Sequence, residues 1–425
     1  MESRMDTIIS YTTMFVIYFG LFFTIFWVLV LFNTPEFKKP KIKNWPSVSI
    51  LVPAYNEEDT IERTIKSILK SKYKGKLEVL VINDASKDKT VEVASKFLPK
   101  IKILDFKKNR GKAGAMNKAL KEVKTEYVAV IDADSTIRPD SVEKAIERFY
   151  YSPEDEEIGA VMCKMSPENR NLNLLERVQF LEYMMVGLMR NLLSSIRLLQ
   201  MTNGGSFYKT KVIREVGGFD DKCLTEDFEM GVRIRKAGYL IGFAKDSILQ
   251  TKTPNNFVIY LKQRIRWSRG FIQVHRKHKD IFFNVKQGWF GWYQFPMDIL
   301  GPLIYFLGIF SISYNVYKKI YEWSFKLINS GFDFASIFDY GSFTQFILGI
   351  NVSLDFVLLF NLLTFLVLFV GFMRFYRENY FKGSFFKKVF AFIFYIMVYN
   401  YIYIYIWIKS LYKELSGGGF DWGTK

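Results

Sequence analysis

Residues 8–32 (IISYTTMFVIYFGLFFTIFWVLVLF) form an apolar run without a charge. A bilayer core takes about 20 helical residues, and a helix satisfies all its own backbone polar groups there. The run therefore commits the chain to a membrane-attached architecture, with this segment as an anchor. A cleaved leader would have a shorter apolar core, a basic flank before it and a small-residue cleavage site after it. The run is too long, its N-terminal flank is not clearly basic, and no such site follows. Lys38, Lys39, Lys41 and Lys43 lie between Asn33 and Pro46. That basic flank belongs on the cytoplasmic side, which puts Glu2, Arg4 and Asp6 outside.

Half the residues are apolar, yet 24% are charged, so the apolar residues must be segregated into blocks. Three more blocks of membrane-spanning length fall at about 295–317, 345–373 and 387–409. The loop 374–388 is basic (Arg374, Arg377, Lys382, Lys387, Lys388) and reads as cytoplasmic; the mixed loop 318–342 reads as external. Asp355 lies inside one span, where an ionisable residue marks either a functional site or a face turned to other helices. Counting the crossings puts the C-terminus outside, against the charges of Lys409 and Lys413. The net charge of +17 suits anionic lipid and an anionic nucleotide substrate. The spans account for the basic loops, so nucleic acid is not expected as a partner.

Cys163 and Cys223 cannot build a disulfide framework and read as buried thiols. His275 and His278 are one helical turn apart, but the cations around them argue for a solvated basic face and against a metal site.

Between the membrane blocks, residues 47–255 read as α/β. SVSILVPAY, LEVLVIND, KIKILDF and EYVAVIDAD are short runs rich in Val and Ile. Polar turn residues follow each, and usually a helix-period stretch. Such runs suit a parallel sheet covered by helices on both faces. Pro53–Glu57, Asp84–Ser86 and Asp132–Asp134 all fall at predicted C-terminal strand ends, where open α/β sheets bind ligands. Residues 256–290 mix cations with aromatic and aliphatic residues at helical spacing and read as an amphipathic helix at the membrane surface. The stretch 172–199 reads either the same way or as a helix packed on the sheet.

The polar signatures have separable chemistry. Asp132 and Asp134, two residues apart after a strand, can grip one hard cation such as Mg²⁺ or Mn²⁺ and so neutralise a diphosphate. Asp84 can accept a hydrogen bond from a pyrimidine imide, or cap the helix that begins near Lys89. Asn109–Asn117 places two glycines and Lys112 at a helix start, a phosphate-binding pattern. Asp227, after Thr225-Glu226, can serve as a general base or as a helix cap. Arg264 and Arg266 can stabilise a departing diphosphate, and Trp267 can stack on a sugar ring or anchor the segment at the membrane interface.

In this order, VPAYNE, VINDAS, IDADS, TNGGSFYKTKVIREVGGFD, LTEDFEMGVRIRKAGY and QRIRWSRG resemble the motifs of the membrane-integrated family 2 inverting glycosyltransferases. That branch includes the cellulose, chitin oligosaccharide, hyaluronan and poly-N-acetylglucosamine synthases. The likeness runs from about Val48 to Gln273. It implies an α/β, GT-A-type (Rossmann-like) cytosolic domain over 47–255 and an amphipathic interface segment over 256–294. Around these it implies an anchor in 1–32, a basic linker in 33–46, three transmembrane helices in 295–411 and a tail in 412–425.

By the same resemblance, Pro53, Tyr55, Glu57 and Asp84 bind the nucleotide and Lys112 lies near the diphosphate. Asp132 contacts the diphosphate and, with Asp134, the metal. Asn203, Gly204 and Gly205 border the acceptor, and Asp227 is the base. Gln263, Arg264, Arg266 and Trp267 close the site. The implied activity is transfer from a UDP-sugar to a growing β-glycan, or alternatively of one sugar to a membrane lipid. Accessory secretion subunits or a homo-oligomer are compatible with it. The tail Phe420–Thr424 resembles a segment that is cytoplasmic in hyaluronan synthases.

Overall fold

The computed structural model describes residues 4–33, 40–151, 155–168, 173–333, 369 and 385–417. Helix α1 (Arg4–Phe32) carries the uncharged run. The α/β part begins with β1 (Val48–Ala54), α2 (Ile61–Leu69), β2 (Leu77–Asp84), α3 (Thr90–Ser95), β3 (Lys102–Phe106), α4 (Gly111–Glu122) and β4 (Tyr127–Val130). It continues through β5 (Ser135–Ile137), α5 (Ser141–Phe149), β6 (Ile158–Pro167), α6 (Leu174–Ser195), β7 (Ser206–Lys209), α7 (Thr210–Glu215), α8 (Glu226–Lys236) and β8 (Leu240–Thr251).

These strands make one sheet in the order β3-β2-β1-β4-β7-β6-β8-β5. Successive side chains of β1 feed opposite faces. Ile50 and Val52 pack with Ile61, Ile65 and Ile68 of α2 and Val142 and Ile146 of α5. Leu51 packs with Ala115, Met116 and Ala119 of α4 on the other face. Both faces are covered, which is why β1 and β2 read as continuous apolar runs.

The expectation of a parallel sheet holds for β3-β2-β1-β4. Beyond β4 the sheet is mixed: β7 is antiparallel to both β4 and β6, β5 is antiparallel to β8, and β6 and β8 are parallel. Short β7 and the register shifts in the β6–β8 pairing blur the alternation that would have marked these strands. The sheet with its covering helices is the GT-A, Rossmann-like arrangement.

Helix α9 (Phe257–Lys277) carries the QRIRW sequence. One-turn elements at Lys279–Ile281, Val285–Gln287 and Phe290–Gln294 follow, so the amphipathic helix ends earlier than the composition suggests. His275 and His278 are buried, not solvated. His275 lies 4.1 and 4.4 Å from the ring centres of Phe271 and Phe295, and His278 meets the buried Glu229 carboxylate at 3.1 Å. Cys163 and Cys223 are buried free thiols. Helix α6 packs on the β6–β8 part of the sheet, as one of its two readings requires, and begins with an Asn173–Glu176 capping box.

Helix α10 (Phe295–Asn329) continues through residues expected to form the start of an external loop. After it come α11 (Phe385–Phe394), a π turn at Tyr395–Tyr399 and α12 (Asn400–Leu415). Among the described residues, the stretches Thr7–Phe32, Phe290–Asn329 and Phe386–Leu415 are long and apolar enough to cross a membrane. The block 345–373 apart from residue 369, Asp355, most of the loop 374–388 and the tail Phe420–Thr424 lie outside the described residues.

The chain separates into two compact units, one of Met1–Asn33 and Pro296–Phe381, the other of Thr34–Phe295 and Lys382–Lys425. Within the second, Tyr399 and Ile406 pack with Val178 of α6 and Tyr260 of α9. The Tyr260 and Tyr399 hydroxyls are 2.8 Å apart. The opposite face of α11–α12 exposes Phe390, Met397, Tyr401, Tyr405 and Ile408. The last turn of α12 ends on α9, with Glu414 Oε1 2.7 Å from Arg269 Nε. The crossing count put the C-terminus outside; the last turn of this helix lies against α9.

Candidate active site

The ends of β1, β2 and β4 come together as parallel neighbours. Their loops are tied across one another. Ser86 Oγ accepts from the N–H of Asn56 at 3.0 Å, Asn56 Oδ1 accepts from Lys87 N–H at 2.9 Å, and Thr90 Oγ1 accepts from Glu57 N–H at 2.8 Å. The result is a cavity of about 240 Å³ lined by Pro53, Tyr55, Glu57, Asp84, Asp132 and Asp134, together with Lys112. Asp84 does not cap the helix near Lys89. Its Oδ1 accepts the N–H of Arg110 at 2.8 Å and so sets the start of α4. Burial outweighs that bond and raises the Asp84 carboxyl above its usual range.

The start of α4 puts Lys112 among carboxylates. Its Nζ is 2.7 Å from Asp132 Oδ1 and 2.9 Å from Glu226 Oε1. Desolvation opposes the ammonium, but Asp132, Glu226 and Asp227 together hold its pKa well above the usual lysine value. Burial raises Asp132, Lys112 opposes that, and the nearby Asp134 raises it further. Two neighbouring carboxylates diverge. Burial acts on both, but the direct bond to Lys112 holds Glu226 below its usual range. Asp227, desolvated and beside the charge of Glu226, is pushed up to about 6.

Asp227 sits in the first turn of α8, its Oδ1 taking the N–H of Phe228 at 2.8 Å. Its backbone carbonyl accepts from Thr202 Oγ1 at 2.6 Å, and Thr202 Oγ1 in turn accepts from the Tyr208 hydroxyl at 2.9 Å. On the other side α9 crosses the Leu224–Asp227 turn. Arg266 Nη1 donates to the Leu224 carbonyl at 3.1 Å, and a Cβ on Gly270 would come within 2.4 Å of Thr225. Glycine at 270 is what lets α9 approach this closely.

The two arginines of QRIRW diverge. Arg264 is buried, 2.7 Å from Glu182 of α6, with its guanidinium 4.3 Å from the centre of the Trp267 ring and 5.1 Å from that of Tyr260. Arg266 adds its charge to Glu226. Asn203 likewise turns inward. Its Nδ2 donates to the Cys163 carbonyl at 3.2 Å and its Oδ1 accepts from Gly205 N–H at 3.1 Å. Gly204 faces Asp132 so closely that a Cβ would lie 2.1 Å from Oδ2. The Asn203–Gly205 turn thus shapes the ground beneath Asp132. The buried side-chain oxygen of Gln263 has no hydrogen-bond partner among the described residues.

Several residues at the site carry no sequence signal. Arg63 of α2 donates to the Asp134 carbonyl and pairs with Glu168. Glu182 and Arg190 come from α6, and the charge of Asp227 acts on Arg190, whose guanidinium burial holds below its usual range. Each is one of several polar residues on a helix otherwise explained by packing. Only the tertiary fold brings them here.

Residues 49–217 match the profile described as glycosyl transferase family 2. A poly-β-1,6-N-acetyl-D-glucosamine synthase of Staphylococcus aureus (strain MSSA476) is 29% identical over 300 residues, covering 67% of this chain and 70% of that protein. A probable glycosyltransferase, YdaM, of Bacillus subtilis (strain 168) is 32% identical over 266 residues, covering 60% of this chain and 62% of that one. Among solved structures, a mannosyltransferase of Pyrobaculum calidifontis, solved with GDP-Man and Mn²⁺, shares the fold. It has a TM-score of 0.52 at 23% identity, over 64% of this chain and 74% of that one.

Proposed function

We propose, from the family 2 glycosyltransferase profile this chain matches, that it is a membrane synthase that extends a β-linked glycan from a UDP-sugar. Its likeness to the staphylococcal poly-β-1,6-N-acetyl-D-glucosamine synthase supports UDP-N-acetylglucosamine as the donor. Three apolar helices among the described residues, with the basic residues after α1, support a multi-pass membrane protein with the α/β unit in the cytoplasm, where nucleotide sugars are made available.

The reading gives each group one task. The cavity at the strand ends takes the nucleotide, with Asp84 toward the base and Tyr55, Pro53 and Glu57 along its edge. Asp227 accepts the proton of the acceptor hydroxyl as its oxygen bonds to the anomeric carbon. The bond from that carbon to the diphosphate breaks on the opposite side, its electron pair leaves with UDP, and the sugar's configuration inverts. Lys112 and Arg266 offset the charge developing on the diphosphate. Arg264 holds Trp267 in place through the Glu182 pair, leaving the indole to stack on the acceptor. The unpartnered Gln263 oxygen suits a sugar hydroxyl.

Asp132 and Asp134 fit a divalent cation. Both line the cavity, two residues apart, and two carboxylates so placed can share one hard cation. Mg²⁺ or Mn²⁺ held there would neutralise diphosphate oxygens. Among the described residues no cluster of three His, Cys, Asp or Glu side chains is arranged to hold a metal alone, so the donor's phosphates would complete the shell.

The observation that carries the proposal is the geometry at Lys112, which pairs with Asp132 at 2.7 Å and Glu226 at 2.9 Å and leaves the neighbouring Asp227 outside those pairs. Asp227→Asn tests it, with UDP affinity measured by calorimetry beside a transfer assay. Transfer should vanish while UDP binding stays within about twofold, because the base acts on the acceptor. Loss of both together would remove Asp227 as the base.

A further inference from the structure

The base-carrying turn is held by α9, and α9 is in turn held by the last helix of the chain. Arg266, Gly270 and Gln273 lie on one face of α9, each about one turn from the next. All three meet Leu224–Thr225. Arg266 donates to the Leu224 carbonyl at 3.1 Å, Gly270 abuts Thr225, and Gln273 Oε1 accepts the Leu224 N–H at 3.3 Å. Gln273 has an amide that can face either way, so something must select the orientation that presents its oxygen to Leu224. Glu414 of α12 does so. Its Oε1 accepts from Gln273 Nε2 at 3.0 Å and from Arg269 Nε at 2.7 Å. An ionised carboxylate only accepts, so the NH₂ of Gln273 must turn toward Glu414 and its oxygen toward Leu224. The Arg269 and Glu414 side chains retain only 4% and 8% of their exposure, so this pair is screened little by solvent. Arg276 adds a weaker contact at 3.8 Å.

We propose that Glu414, in the last turn of α12, is a positioning residue for the general base, acting through Gln273 on the Leu224–Asp227 turn. The membrane-facing C-terminal helix is thereby part of the machinery that aims the base, and its contribution exceeds that of an anchor. The inference rests on the reading of Asp227 as base, but its first readout does not.

The test is hydrogen–deuterium exchange on the full-length protein in lipid nanodiscs, wild type against Glu414→Ala. Peptides covering Leu224–Asp227 should exchange at least tenfold faster in the variant, while those of β1, β2 and β6 stay unchanged. In the transfer assay, kcat should fall tenfold or more, with the donor KM and UDP affinity within twofold. Glu414→Gln keeps a side-chain oxygen for Arg269 and Gln273 and should recover part of both effects. It also serves as the test if the alanine variant does not fold. Unchanged exchange at Leu224–Asp227 overturns the inference whatever the enzyme does. So does acceleration spread across the whole α/β unit, which would make Glu414 a general stabiliser.

Discussion

Replacing Lys112 with Gln leaves Asp132, Glu226 and Asp227 without the ammonium that balances them. The lysine makes close pairs at 2.7 and 2.9 Å, with side-chain exposures of 30% for Lys112, 36% for Asp132 and 5% for Glu226. An opposite charge at such range lowers a carboxylate pKa by about 1–3 units. Asp227 feels Lys112 without a direct bond, and solvent reaches part of the cluster, so about one unit is the reasonable figure. Asp227 stands at about 6 with Lys112 present. A base works only when deprotonated, so wild-type kcat/KM should fall as pH drops through about 6, and in Lys112→Gln the same limb should sit near 7. The protonation effect alone would cost about fivefold at pH 6, about twofold at pH 7 and almost nothing at pH 9. A loss common to all pH values, from the weakened diphosphate site, would lie on top of it. The assay is kcat/KM for transfer from pH 5 to 9, with Lys112→Arg as the control that keeps the charge and the limb near 6. A Lys112→Gln limb at or below that of wild type would refute the electrostatic account of the base.

Two further outcomes are expected. Asp134→Asn, which removes one charge from the paired carboxylates, should cut turnover by about 100-fold or more, and EDTA should abolish wild-type transfer until Mn²⁺ or Mg²⁺ is restored; full activity in EDTA would remove the metal. Trp267→Ala should shorten the product and weaken acceptor retention more than UDP binding, whereas Trp267→Phe keeps part of the platform; normal product length and rate with alanine would make Trp267 an interface anchor only.

The legible half of the fold was the parallel half. Its strands β1, β2 and β4 are buried and leave continuous apolar runs, and the polar residues ending them are conspicuous by contrast. The other half hides because β7 is short and the β6–β8 ladder shifts register, so neither shows a clean period. At the site, residue types and their order pointed to the carboxylates, but partnership was out of reach. Nothing local says that Lys112 bonds Glu226, or that of two nearby arginines Arg264 meets Glu182 while Arg266 faces the Leu224 turn. The histidines misled for the same reason. Their neighbours in sequence are cations, but their neighbours in space are Phe271, Phe295 and Glu229. Glu414 sits on an apolar helix far along the chain from the residues it orients, and only the packing of α12 on α9 gives it a role.

The central claim is that this chain builds a polymer. The direct measurement is to supply radiolabelled UDP-N-acetylglucosamine and Mn²⁺ to the purified full-length protein in lipid nanodiscs and to size the labelled product by gel electrophoresis. A ladder or smear of long, glycosidase-sensitive chains that disappears in Asp227→Asn is the predicted result. A single labelled glycolipid, or label that never leaves UDP in the wild-type protein, would contradict it.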